Sequence, residues 1–138
     1  MTESTKFQIP NSKQAPNDQI PSTKQYYDLE QRTLEFSRRV IQLCKKVKQD
    51  AINREIISQV VRSSGSVGAN YREANEALSK KDFWHRIKIA RKEAKEVFYW
   101  LQLIGESCPE IISEAKALSG EAWELRKILS AIALKAKK

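Results

Sequence analysis

From Leu29 almost to its end, this chain repeats its apolar residues at alternating spacings of three and four. Such a period puts them on one side of helices wound at about 3.6 residues per turn, and no segment shows the two-residue alternation of a strand. A first stretch reads Leu29, Thr33, Phe36, Val40, Leu43 and Val47. A second, predicted to begin near Asn53, reads Ile57, Val60, Ser64, Val67, Tyr71, Ala74 and Leu78. Ser79, three residues ahead of Asp82, gives a capping-box spacing that opens a third stretch: Phe83, Ile87, Ala90, Ala94, Val97, Leu101 and Ile104, with Gly105 expected at the helix end. Pro109 suits the first turn of a fourth: Ile111, Ala115, Leu118, Ala122, Leu125, Leu129 and Ile132, in which Gly120 marks a kink or a late start.

The punctuation agrees with that division. Three of the four prolines (Pro10, Pro16, Pro21) lie in the first 21 residues, and little interrupts regular structure afterwards. Residues 1–25 are expected to form a disordered tail, or an arm that orders on a partner, and residues 26–138 a single domain. Four amphipathic helices with short connections pack most simply as an all-α, antiparallel up-down-up-down four-helix bundle. Gly65 and Gly68 share a helix face, where missing side chains let a neighbour approach; a break at Ser63-Ser64-Gly65-Ser66 is the alternative. The continuous helix is preferred because the seam stays in phase across it.

Several function classes find no footing. Cys44 and Cys108 make neither a zinc-ligand spacing nor a CxxC pair. The expected topology puts them at one end of the bundle, where a redox switch is conceivable, but reduced, buried or capped thiols are the expectation. His85 is the one histidine, with no second for a metal site. Gly65-Ser66-Val67-Gly68 matches a bare GxxG, but a GxxG clamp needs strands beside it, and no lysine-serine or lysine-threonine pair follows for a phosphate-binding loop. No secretory signal and no run of 18 apolar residues is present, so a cytoplasmic protein with no membrane segment is expected, with no metal, no cofactor and no catalytic residues.

Charge carries the functional reading. The formal net charge of +8 favours a polyanionic partner, RNA or DNA. The third segment places Trp84, Lys88, Arg91, Lys95 and Phe98 at helical spacing with Lys81, Arg86 and Lys92 close by, a pattern suited to phosphate contact combined with base stacking. Lys81, Trp84, Lys88, Arg91, Lys92 and Lys95 are therefore the candidate nucleic-acid-binding residues. The competing reading is a solvated face whose aromatic rings pack on a neighbouring helix. Arg62, Asn70, Arg72 and Glu73 lie near the second seam, and with Glu93 they are expected to form a structural polar network or an oligomer contact. A catalytic Glu73–Glu93 pair is the weaker alternative. Ile89, Trp100 and Leu103, joined by Tyr99, make a second apolar stripe on the third segment that favours self-association.

A resemblance sharpens these expectations. Asn53-Arg54-Glu55-Ile56, the run from Arg62 through "SVGANYREA" to Ala74, "SKKDF" from Ser79 to Phe83, and Lys88-Ile89-Ala90-Arg91-Lys92-Glu93-Ala94 resemble the bacterial four-helix bundle family first noticed as products of intervening sequences in 23S rRNA genes. The match covers roughly residues 26 to 135. It implies a homopentameric ring of antiparallel bundles with no known catalytic activity, and Arg62, Asn70, Glu73, Phe83, Ala90 and Glu93 fall on its motif positions. A more distant likeness of fold, to the basic pentameric accessory protein of diversity-generating retroelements, implies binding of nucleic acid. The alternative is an adaptor for a partner protein such as a reverse transcriptase, with no direct nucleic-acid role.

Overall fold

A computed structural model describes residues 21–137, with side chains from residue 29 onward. It consists of four long helices and no strand among the described residues: α1 Pro21–Lys45, α2 Ala51–Asn75, α3 Lys80–Ser107 and, after a single 3-10 turn at Pro109–Ile111, α4 Ile112–Ala136. The tail expected over residues 1–25 lies outside the described residues up to residue 20. Residues 21–25 already belong to α1, since a proline is preorganised for a helix's first turn.

Cross-helix pairs give the directions. Glu30 bonds Asn75 while Ser37 bonds Ser64, so α1 and α2 run oppositely. Asn53 pairs with Ser107 and Asn70 with Arg86, which sets α2 against α3 in the same antiparallel sense. Phe98 meets Trp123 on α4 while Gly105 lies against Ala115, so the third pair is antiparallel too. Helix α3 contacts α2 and α4 extensively, whereas α1 is held more thinly between α2 and α4.

The seams are the core. Phe36, Val40, Leu43, Val60, Val67, Tyr71, Ile87, Ala90, Ala94, Val97, Leu101, Ile104, Leu118, Ala122, Leu125 and Leu129 are fully buried. Caps mark the helix starts. Asp50 accepts a hydrogen bond from the Asn53 backbone N–H, which starts α2 at Ala51, two residues ahead of the expected Asn53; Asn53 itself is buried. Ser79 likewise accepts from the Asp82 N–H, as the capping-box spacing predicts.

Three positions differ from the sequence reading. Leu78, in phase with the second seam, is 97% exposed because α2 has already ended at Asn75 and the phase no longer carries meaning. Gly105 does not end α3, which continues to Ser107; it is a close-approach site, where a Cβ would stand 3.2 Å from Ala115 Cβ and 3.3 Å from Ile112 Cδ1. Gly65 and Gly68 lie in one unbroken helix, yet only Gly68 admits a neighbour. A Cβ there would meet Thr33 Oγ1 at 2.8 Å, whereas one at Gly65 would find nothing within 4 Å. Gly120 is likewise open, inside a continuous α4.

The two glycines of α2 therefore have opposite substitution signs. Thr33 is fully buried, β-branched and tied to Glu30 O at 3.1 Å, so it yields little. Gly68→Ala is expected to cost about 1–3 kcal/mol. Gly65→Ala should gain roughly 0.5–1 kcal/mol from helix propensity alone. Urea unfolding of the two variants checks both signs.

Candidate nucleic-acid interface on α3 and α4

At 3.6 residues per turn, Lys81, Trp84, Lys88, Arg91, Lys92 and Lys95 fall within an arc of about 100° on α3. That arc lies beside the buried stripe, on the side turned towards α4 and solvent. The acids Asp82, Glu93 and Glu96 occupy the opposite flank, where Arg62 of α2 reaches Glu93 at 3.6 Å and Glu96 at 3.1 Å. Glu106 stands on the basic arc, but about 16 Å beyond Lys95.

Helix α4 sorts its charge in the matching sense. Glu114 and Glu121 turn to α1, where they meet Lys46 at 2.8 Å and Arg32 at 2.7 Å. Trp123 and Arg126 lie on the α3 side, with Phe98 and Trp123 ring centroids 5.4 Å apart. Arg126 Cζ sits 4.9 Å from the Trp123 ring, and Lys88 Nζ sits 3.6 Å from the Trp84 ring. Each cation thus has an aromatic face that holds it in place without neutralising it.

The remaining cations of the arc are less constrained. Lys81, Lys92 and Lys95 are exposed and Arg91 is half-buried. Among the described residues, Lys92 approaches Glu93 at 3.9 Å, while Lys81, Lys88, Arg91 and Lys95 have no carboxylate partner. Trp84 is half-buried against the core, so its free face is the one that Lys88 covers.

The expected polar network is divided by the structure. Arg62 and Glu93 are together; Glu93 is buried, and its Oε1 has no hydrogen bond, so Arg62 supplies charge across 3.6 Å. Asn70 instead donates to Ser66 O and accepts from Arg86 at 3.1 Å, and Arg72 pairs with Glu30 at 3.6 Å. Glu73 is exposed and lines an open groove of about 300 Å³ with Glu76, Asp82, His85 and Arg86. Asn70 and Arg86, next to it, lie about two helical turns along α3 from Glu93. The two carboxylates are not brought into one site. In the second apolar stripe, Trp100 packs against the core and Ile89 and Leu103 are half-buried, which leaves Tyr99 as its exposed member. No group of three or more histidine, cysteine or acidic residues able to hold a metal occurs among the described residues. Nor is any of their helices long and apolar enough to cross a membrane.

Sequence periodicity missed a long-range, bidentate ion pair. Arg32 Nε and Nη2 donate to Glu121 Oε2 and Oε1 at 2.7 and 2.9 Å, a bidentate fork between residues 89 apart in sequence. Burial works against the Arg32 charge, but the hydrogen bonds and the carboxylate of Glu121 outweigh it and raise the guanidinium pKa. Both cysteines are free and buried, and burial pushes the Cys44 thiol up to about 11.

Comparison with known proteins places this arrangement. A family model described as "23S rRNA-intervening sequence protein" matches residues 25–131. Among solved structures, a protein of unknown function from the S23 ribosomal protein family of Bacteroides thetaiotaomicron is 32% identical. It aligns over 76% of this chain and 97% of its own, with a TM-score of 0.68. No curated protein matches.

Arg32→Met strands the Glu121 carboxylate and should cost about 3–5 kcal/mol, much of which the double variant with Glu121→Leu recovers. The unfolded Cys44 thiol ionises near 9.0 and the folded one near 11, so its contribution is complete below about pH 9 and is lost as pH rises to about 11. Over that window wild type should lose on the order of 2 kcal/mol more than Cys44→Ala, read by urea titration at each pH.

Proposed function

Because the chain belongs to the 23S rRNA-intervening sequence protein family, we propose that it is a non-catalytic, oligomeric protein of the cytoplasm that binds RNA on its α3–α4 face. The observation that carries this reading is the sorting of charge. Among the described residues, Lys81, Lys88, Arg91 and Lys95 stand without carboxylate partners on one arc, while Arg32, Lys46, Arg62 and Arg72 are paired elsewhere on the bundle. Unpaired cations along a helix, with Arg126 facing them from α4, form the footprint that a phosphate backbone requires, and their binding is driven by counterion release. Lys88, Arg91 and Lys95 contact phosphate in this reading; Lys81 and Lys92 extend the path, and Trp84 braces Lys88.

The homopentameric ring implied by the family resemblance is part of the proposal. Leu34 and Ile41, seven residues apart on the outer side of α1 and 37% and 42% exposed, support a contact between copies. A ring would repeat the basic face and multiply its affinity for a polymer. The adaptor reading draws on Trp123, 41% exposed, as an anchor for a partner protein. It requires partner capture that is indifferent to added RNA.

The test reverses charge on the arc. Lys88→Glu/Arg91→Glu/Lys95→Glu should weaken RNA binding at least about 100-fold and reduce the salt slope by about 2, with unfolding free energy within about 1 kcal/mol of wild type. Unchanged affinity in a folded triple variant removes α3 from the function.

A further inference from the structure

We propose that Tyr99 is a base-stacking residue, so that the α3–α4 face takes single-stranded RNA in preference to a duplex; this deepens the RNA reading above and rests on it. Single strands are held by cations that follow the backbone and by open aromatic faces on which unpaired bases lie. In a duplex the bases are already stacked on one another, and their faces are closed to a protein ring. The presence of an open ring beside the cation row therefore distinguishes the two substrates.

Among the aromatic side chains of this face, three are engaged within the bundle. Lys88 lies over Trp84 and Arg126 over Trp123, whose ring also packs on Phe98. Tyr99 is different. It is 55% exposed, and it falls on the same arc of α3 as Lys81, Lys88, Lys92 and Lys95. It stands one turn, about 6 Å, beyond Lys95 and two turns, about 10 Å, beyond Lys92. Its ring meets Trp100 at 5.0 Å and 76°, an edge contact that leaves ring surface open. Trp100 is itself half-buried against the core, so the tyrosine is braced by a fixed neighbour. A backbone held at Lys88, Lys92 and Lys95 would deliver its next base onto that ring. Two turns farther, Glu106 places a negative charge on the arc, which ends the favourable path and leaves Tyr99 at its terminus.

The experiment compares, by fluorescence anisotropy, a short labelled oligouridine, an abasic strand of the same length, and the same oligouridine annealed to its complement. Wild type is expected to bind oligouridine about tenfold more tightly than either of the others, the effect of one stacked base. Tyr99→Ala should abolish the preference over the abasic strand, while Tyr99→Phe, which keeps the ring, should retain it. Equal binding of oligouridine and abasic strand by wild type overturns the inference while leaving the phosphate-binding face intact. So does a preference that survives Tyr99→Ala, or a loss in Tyr99→Ala accompanied by a smaller mass in light scattering, which would assign the ring to a contact between copies. Failure of wild type to bind any of the three strands overturns the RNA reading itself.

Discussion

Helix α3 lies against both α2 and α4 along most of its length, and it can do so only if its buried stripe is both apolar and narrow at the closest contacts. Ala90 and Ala94 supply the narrow part, and Gly105 lets Ala115 and Ile112 approach where a methyl group would crowd them. Larger residues, Ile87, Val97, Leu101 and Ile104, fill the space between. Once that stripe is committed to two neighbours, the charged residues of α3 have only its flanks and outer surface left. The α2 flank receives acids that meet Arg62, and the α4 flank receives cations of which, among the described residues, Lys92 alone approaches a carboxylate. The basic face is thus a consequence of the packing as much as of the composition.

The two buried carboxylates show how differently the same problem is met. Glu121 is closed by a bidentate arginine fork, so burial is offset by two short charge-assisted hydrogen bonds. That fork crosses between α1 and α4, where the helices touch least and a specific tie has most to fix. Glu93 has the charge of Arg62 at 3.6 Å but no hydrogen bond at Oε1. It sits on the α2 side of α3.

Most of the architecture was legible from the spacing of apolar residues, because a period of three and four sustained over six or seven positions has one structural meaning. Phe36, Val40, Val97, Leu101, Leu125 and Leu129 were all placed correctly in that way. Phase without boundaries misleads, as Leu78 shows, because the hydrogen bonds that end a helix leave no apolar signature. Glycine was ambiguous for a related reason: Gly65, Gly68 and Gly105 look alike in sequence, and only the position of Thr33 or Ala115 tells a required absence of a side chain from an incidental one. The Arg32–Glu121 fork was invisible, since nothing local links residues so distant in sequence. For the candidate site the residue set on α3 could be read, but not the state of its rings. That Lys88 covers Trp84 while Tyr99 stays open depends on side-chain directions that spacing alone does not specify.

A face of unpaired cations carries a cost, since like charges within one or two helical turns repel by a few tenths of a kcal/mol per pair. Several other cations avoid it by pairing: Arg38 with Glu35, Lys127 with Glu124, Lys46 with Glu114. Among the described residues, Lys81, Lys88, Arg91 and Lys95 of α3 and Arg126 of α4 have no such partner, although Glu93 and Glu96 lie only a few residues away and face α2. What the fold provides there instead is an aromatic surface under a cation, Trp84 for Lys88 and Trp123 for Arg126. An indole face attracts the charge and fixes its position while leaving its far side open to an anion, which a carboxylate partner would not. Cations held in that manner are prepared for an external negative charge at a lower entropic cost than free lysines, and a partner that arrives as a chain of phosphates meets several of them at once.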